Sequence, residues 1–206
     1  MLKGVQNLDQ EAKVRLIAIG ASTGGIQAIE KILFALPKEF PCIVIVQHIL
    51  HGFTDLLAEQ LQQKSRLIVQ VAHGGESVER NKVFIADHGA QLRVKLEQGR
   101  IMLERGETEK CSGHSPSINV FFSSCTVLGK EAIGVILTGM GEDGADGLLA
   151  MRQAGAYTIG QEEKSCIVYG MPKAAYLKGA VACQLPLDKI ANELIFRTKE
   201  RGLYGK

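Results

Sequence analysis

What most constrains the fold of this chain is a rhythm: short apolar runs rich in β-branched residues alternate with segments of helical spacing. The runs are Arg15–Ile19, Pro41–Gln47, Leu67–Val71, Lys82–Ala86, Ala132–Thr138, Ala156–Gly160 and Ala180–Gln184. Several are continuously apolar, as strands covered on both faces are. Between them, Ile26, Ile29, Ile32, Leu33 and Leu36 form one helical face ended by Pro37. Phe53, Leu56, Leu57 and Leu61 form a second, and Leu148, Leu149 and Met151, closed by Gly155, a third. Helical patterns also run from Ser117 to Leu128 and from Ile190 to Gly202. Such alternation predicts an α/β fold, a doubly wound three-layer sandwich around a mostly parallel sheet. The middle breaks the rhythm: Gln91–Leu96 and Arg100–Glu104 flank Glu97-Gln98-Gly99, which predicts an antiparallel hairpin added to the sheet. Arg105 to Ser115 is polar and aperiodic and reads as a loop.

No repeat or linker divides the 206 residues, so the reading is a tail over residues 1–14 and a single domain over 15–206. The formal net charge of +2 gives no footprint for nucleic acid or a charged membrane surface. No apolar run approaches the roughly 20 residues of a membrane span. Met1 to Lys13 lacks the apolar centre of a secretion signal. The five cysteines are odd in number and have no C-x-x-C spacing, which argues against a disulfide framework or a zinc site. Cys42 and Cys125 fall in apolar patterns and read as buried free thiols, so a reducing, cytoplasmic setting is expected.

Three polar residues stand where a parallel sheet would bring them together. The first run leads directly into Gly20-Ala21-Ser22-Thr23-Gly24-Gly25 and a helix, placing Ser22 at the carboxyl end of a strand. Unpaired backbone N–H groups there favour developing negative charge. The segment satisfies the G-x-S-x-G pattern, although a glycine-rich turn of this kind also suits a phosphate and Ser22 could cap the helix. His48 follows the run Pro41–Gln47, and Asp143 lies just beyond Ala132–Thr138, where an aspartate could also serve as a helix cap. Parallel strands deliver their carboxyl ends to one edge of a sheet, where ligand crevices form. A serine, a histidine to take its proton and an aspartate to orient the imidazole would therefore share one rim.

These residues sit in stretches that resemble a known family. Ala18-Ile19-Gly20-Ala21-Ser22-Thr23-Gly24-Gly25, Gln47-His48, Gly52-Phe53-Thr54 and Leu137-Thr138-Gly139-Met140-Gly141-Glu142-Asp143-Gly144 are similar to the CheB methylesterase domain. Met151-Arg152-Gln153-Ala154-Gly155-Ala156 and Ser165-Cys166-Ile167-Val168-Tyr169-Gly170-Met171-Pro172 extend the resemblance, which covers about Arg15 to Ile190. It implies a cytoplasmic serine esterase that hydrolyses glutamate methyl esters on chemoreceptor helices, releasing methanol, with deamidation of receptor glutamines as a further activity. It implies the catalytic set Ser22, His48 and Asp143, and an oxyanion pocket near Thr23 and Met140. The family's usual enzyme carries an N-terminal receiver domain. Here about a dozen residues precede the first run, so the expectation is a free-standing or excised domain, with control by a separate receiver or signalling protein. The chain departs from the family at Leu50 and His51, where prolines are common. It departs again at Ser115 and Asn119, where a basic residue and an aspartate are expected. Asp87 to Gln91 replaces a stretch that begins with proline and ends with histidine. These loops are expected to line the substrate rim, with His114 and Ser117 as its candidate residues.

Two other readings compete. A nucleotide-binding oxidoreductase needs G-x-G-x-x-G, which the turn at Gly20 does not supply, and it leaves His48 and Asp143 without a role. A non-catalytic signalling module on the same fold would account for the altered loops but not for the intact Ser22, His48 and Asp143. His51, His73, His88 and His114 show no ligand spacing, and neither a metal nor a cofactor is expected.

Overall fold

The computed structural model describes residues 13–199. Its centre is a seven-stranded parallel sheet in the order β3-β4-β2-β1-β7-β8-β9. The strands are β1 (Leu16–Ala21), β2 (Cys42–Gln47), β3 (Ile68–Ala72), β4 (Lys82–Ala86), β7 (Ala132–Ile136), β8 (Tyr157–Gln161) and β9 (Cys183–Leu185). Between β4 and β7 the chain forms the expected hairpin, β5 (Leu92–Glu97) and β6 (Arg100–Arg105), as a separate two-stranded antiparallel sheet.

Continuous apolarity in β1 reflects two cores. Ile17, Ile19 and Ala21 face one layer with α1 (Gly25–Leu33), α2 (Thr54–Gln62) and α6 (Leu187–Thr198). Leu16 and Ala18 face the other, with the hairpin and with α3 (Ile118–Ser124), α4 (Ala145–Gln153) and α5 (Met171–Leu177). The period of two decides which core a residue joins, and both cores want apolar groups.

Helix expectations hold with local differences. On α2 the buried face is Leu57, Ala58 and Leu61, whereas Phe53 and Leu56 are 48% and 58% exposed. The pattern from Ser117 ends as α-helix at Ser124 and continues in the tighter 3-10 geometry to Glu131. Helix α5 has no counterpart among the expected helical patterns; Pro172 sits in its first turn, where a missing N–H costs nothing. Of the closing pattern Ile190–Gly202, residues 200–202 lie outside the described residues, as do 1–12 of the expected tail. The five cysteines are free, and burial pushes the Cys42 thiol up to about 12. No helix among the described residues is long and apolar enough to cross a membrane.

This topology opens a crevice. The chain leaves β1 for α1 on one face of the sheet and leaves β7 for α4 on the other, so the loops after these neighbouring strands diverge. Tight packing of α3 under β1 fixes one wall. A Cβ on Gly20 would lie 2.4 Å from Ile118 Cγ2 and 3.1 Å from the Phe122 ring. Gly20→Ala is expected to destabilise the protein by about 1–3 kcal/mol through overpacking. A lowered urea midpoint at unchanged slope is the readout, and an unchanged midpoint would contradict this packing.

Candidate active site

Ser22 is the first residue beyond β1, and its amide extends the sheet by donating to Thr138 O at 3.1 Å. His48 is the first residue beyond β2 and donates its amide to Ala21 O at 3.0 Å. Because Ala21 pairs with Gln47 in register, Ser22 and His48 stand side by side at neighbouring strand ends. The buried Gln47 amide locks this edge, its Nε2 donating to both Ser22 O and His48 O at 2.9 Å.

Asp143 reaches the same place from the loop after β7. Its Oδ2 accepts from His48 Nε2 at 2.9 Å and from the Ile118 amide at 2.8 Å. Its Oδ1 accepts from Ser117 Oγ at 2.8 Å and from the Asn119 amide at 3.0 Å. The amides belong to the first turn of α3, whose unpaired N–H groups and dipole favour an anion. Burial alone would raise the carboxyl pKa; the hydrogen bonds from His48, Asn119, Ile118 and Ser117 outweigh it and hold the group below the usual carboxylate range. The other ring nitrogen of His48, Nδ1, is buried and has no hydrogen-bond partner among the described residues.

Ser117, expected on the rim, is instead wholly buried beneath Asp143, capping α3 while its hydroxyl donates to the carboxylate. A hydroxyl that can donate and accept fills both roles at once, which exposure would waste. His114 is half-buried and stacks on His48, with ring centroids 3.6 Å apart and planes 10° apart. Burial lowers the His114 pKa, as do the charges of His48 and Lys110, while Asp143 opposes them.

Thr23 and Met140 flank the crevice. Neither backbone amide donates to a partner among the described residues, and the Met140 side chain is 74% exposed. Thr138, buried two residues beyond β7, ties the walls together: its hydroxyl donates to Thr23 O at 3.0 Å and accepts from the amides of Ile167 and Val168. Gly139 lets the loop approach Ser22, since a Cβ there would lie 2.7 Å from Ser22 Cβ and 2.3 Å from Met171 Sδ.

Sequence reasoning missed the supporting amides. Gln91, noted as the start of a hairpin strand and as a departure from a histidine, is a buried strut: its Oε1 accepts from the Ser117 amide, and its Nε2 donates to Glu109 O and His114 O. Gln161 Oε1 accepts from the Thr138 amide. The available signal was a lone amide or hydroxyl closing an apolar run, as at Gln47, Thr138 and Gln161. As to metals, His48, His114 and Asp143 offer donor atoms within 4.8 Å of one another. In two nearly parallel stacked rings, however, the in-plane lone pairs lie in two separate planes, so an ion in the plane of one ring is out of the plane of the other.

The family model described as CheB methylesterase matches residues 17–194. A protein-glutamate methylesterase/protein-glutamine glutaminase of Anaeromyxobacter dehalogenans is 47% identical over 190 residues, 92% of this chain and 53% of that protein. One from Syntrophomonas wolfei is 49% identical over 180 residues, 87% of this chain and 53% of its own length. The chain thus spans about half the length of the curated relatives it matches. The crystal structure of the Thermotoga maritima CheB methylesterase catalytic domain superposes with a TM-score of 0.86 at 34% identity, covering 90% of this chain and 99% of that one.

The Asp143 environment sets a pH signature. Its folded pKa lies below the unfolded value of about 3.9, so the ionised form contributes stability fully above that value and loses it as pH falls through the folded one. Asp143→Asn should flatten the fall in unfolding free energy measured by urea titration between about pH 5 and pH 3. An equal fall in both proteins would contradict this environment.

Proposed function

The chain belongs to the CheB methylesterase family, and from that premise we propose that it hydrolyses γ-methyl esters of glutamate on chemoreceptor helices, with Ser22, His48 and Asp143 as its catalytic set. The observation that carries this reading is the His48 ring: Asp143 holds Nε2, and the partnerless Nδ1 belongs to the residue beside Ser22.

In this reading Ser22 Oγ attacks the ester carbonyl as His48 Nδ1 takes its proton. Asp143 fixes the tautomer and stabilises the imidazolium. The Thr23 and Met140 amides, free of other acceptors among the described residues, stabilise the oxyanion without reorganisation. His48 then returns the proton to the methoxide as the C–O bond breaks, methanol leaves, and an acyl-serine remains. Water attacks it, giving a proton to His48, which passes it to Ser22 Oγ as the glutamate carboxylate departs. With a glutamine substrate the same steps expel ammonia, a reaction in keeping with the glutaminase names of the relatives. Neither the oxidoreductase nor the non-catalytic module accounts for a buried carboxylate spent on orienting one imidazole.

Methanol release from methylated chemoreceptor fragments tests the proposal. Ser22→Ala and His48→Ala are expected to abolish release without unfolding the protein, and Asp143→Asn to slow it roughly 10⁴-fold. Undiminished release by Ser22→Ala would overturn it.

A further inference from the structure

Beside the triad, on the side of His48 facing β4, lies a cleft of about 330 Å³. His88, Lys110, His114 and Ser115 give it polar walls, while Ile49, Ala86 and Pro116 give it apolar ones. Among the described residues no carboxylate lines it. Asp87, the nearest in sequence, is turned to Arg105 at 3.6 Å and His73 at 3.4 Å, and Asp143 is saturated by its four donors. Lys110 pairs with no carboxylate among the described residues. Ser115 is 9% exposed, and among the described residues its buried Oγ has no hydrogen-bond partner, nor has the buried Nδ1 of His88, another lining residue. A buried polar atom without a partner costs free energy, and rotation about one bond would turn the serine hydroxyl to an acceptor in the cleft and relieve it.

We propose that this cleft is a carboxylate subsite: it receives the acidic side chain of a substrate residue lying within one helical turn of the esterified glutamate. The inference rests on the methylesterase reading for its substrate. The single lysine matches a monovalent anion, and the apolar walls match the methylenes that carry it. Spacing fits too. Ser22, His48 and His88 follow β1, β2 and β4, which are consecutive in the sheet, so the subsite begins one strand spacing of about 4.8 Å from the nucleophile and ends near two. On a helix, side chains three or four residues apart are separated by about 5–6 Å at Cβ. One turn of substrate therefore spans ester site and cleft.

Two measurements test it. Propionate, titrated into the protein and followed through the His88 and His114 ring resonances, is expected to give saturable shifts that propionamide does not give and Lys110→Met loses. Absence of saturable shifts, or their persistence in Lys110→Met, overturns the subsite whatever the esterase does. Next, helical methyl-ester peptides with glutamate or glutamine one turn from the ester are compared. The acidic peptide should show about fivefold higher kcat/KM, as expected of one partly exposed charge-assisted hydrogen bond. That preference should vanish in Lys110→Met and weaken in Ser115→Ala, with turnover of the neutral peptide unchanged. Propionate binding without peptide preference would overturn the substrate assignment and leave a site for free carboxylates. Binding without hydrolysis of either peptide would overturn the esterase reading and leave the carboxylate site standing.

Discussion

Asp143 carries a charge into the interior, and much of the molecule is arranged to make that tolerable. A buried carboxylate without partners would neutralise itself or unfold its surroundings. Here each oxygen takes two hydrogen bonds, three of the four donors coming from the start of α3. The start of α3 is in turn held by Gln91 through the Ser117 amide, and its Ile118 packs against Gly20 of β1. Strand, helix start and hairpin loop thus converge on one charge. The fourth donor is His48, so the ring is oriented by the same group that the scaffold stabilises.

Glutamine and threonine side chains do the rest of the joining. Strand ends leave backbone groups unpaired just where the chemistry must sit, and an amide can satisfy donors and acceptors together. Gln47 clamps the carbonyls after β1 and β2, while Gln161 and Thr138 bind the end of β7 to the loop before α5. The edges of the crevice are thus bonded to each other, and among the described residues the Thr23 and Met140 amides have no acceptor.

The parallel sheet was legible because strands between two cores must be apolar throughout, and β1 and β2 carry that mark along their whole length. The positions of Ser22, His48 and Asp143 followed from the sheet, since carboxyl ends share an edge. Ser117 misled because a serine before a helix reads equally as an exposed cap or as a buried donor; only the approach of Asp143, in a loop 26 residues later, separates the two. Gln91 was opaque for the same reason: its partners lie 18 to 26 residues away, beyond any local pattern. The stacking of His114 on His48 depends on the course of an aperiodic loop, for which periodicity has nothing to say.

The central claim is that the imidazole held by Asp143 activates Ser22. The most direct test is reaction with a fluorophosphonate probe, with the labelled residue mapped by mass spectrometry in the wild type and in His48→Ala. The account predicts a single adduct on Ser22 that forms readily in the wild type and falls to background in the variant. Labelling of another residue, or equal labelling of Ser22 without His48, would contradict it.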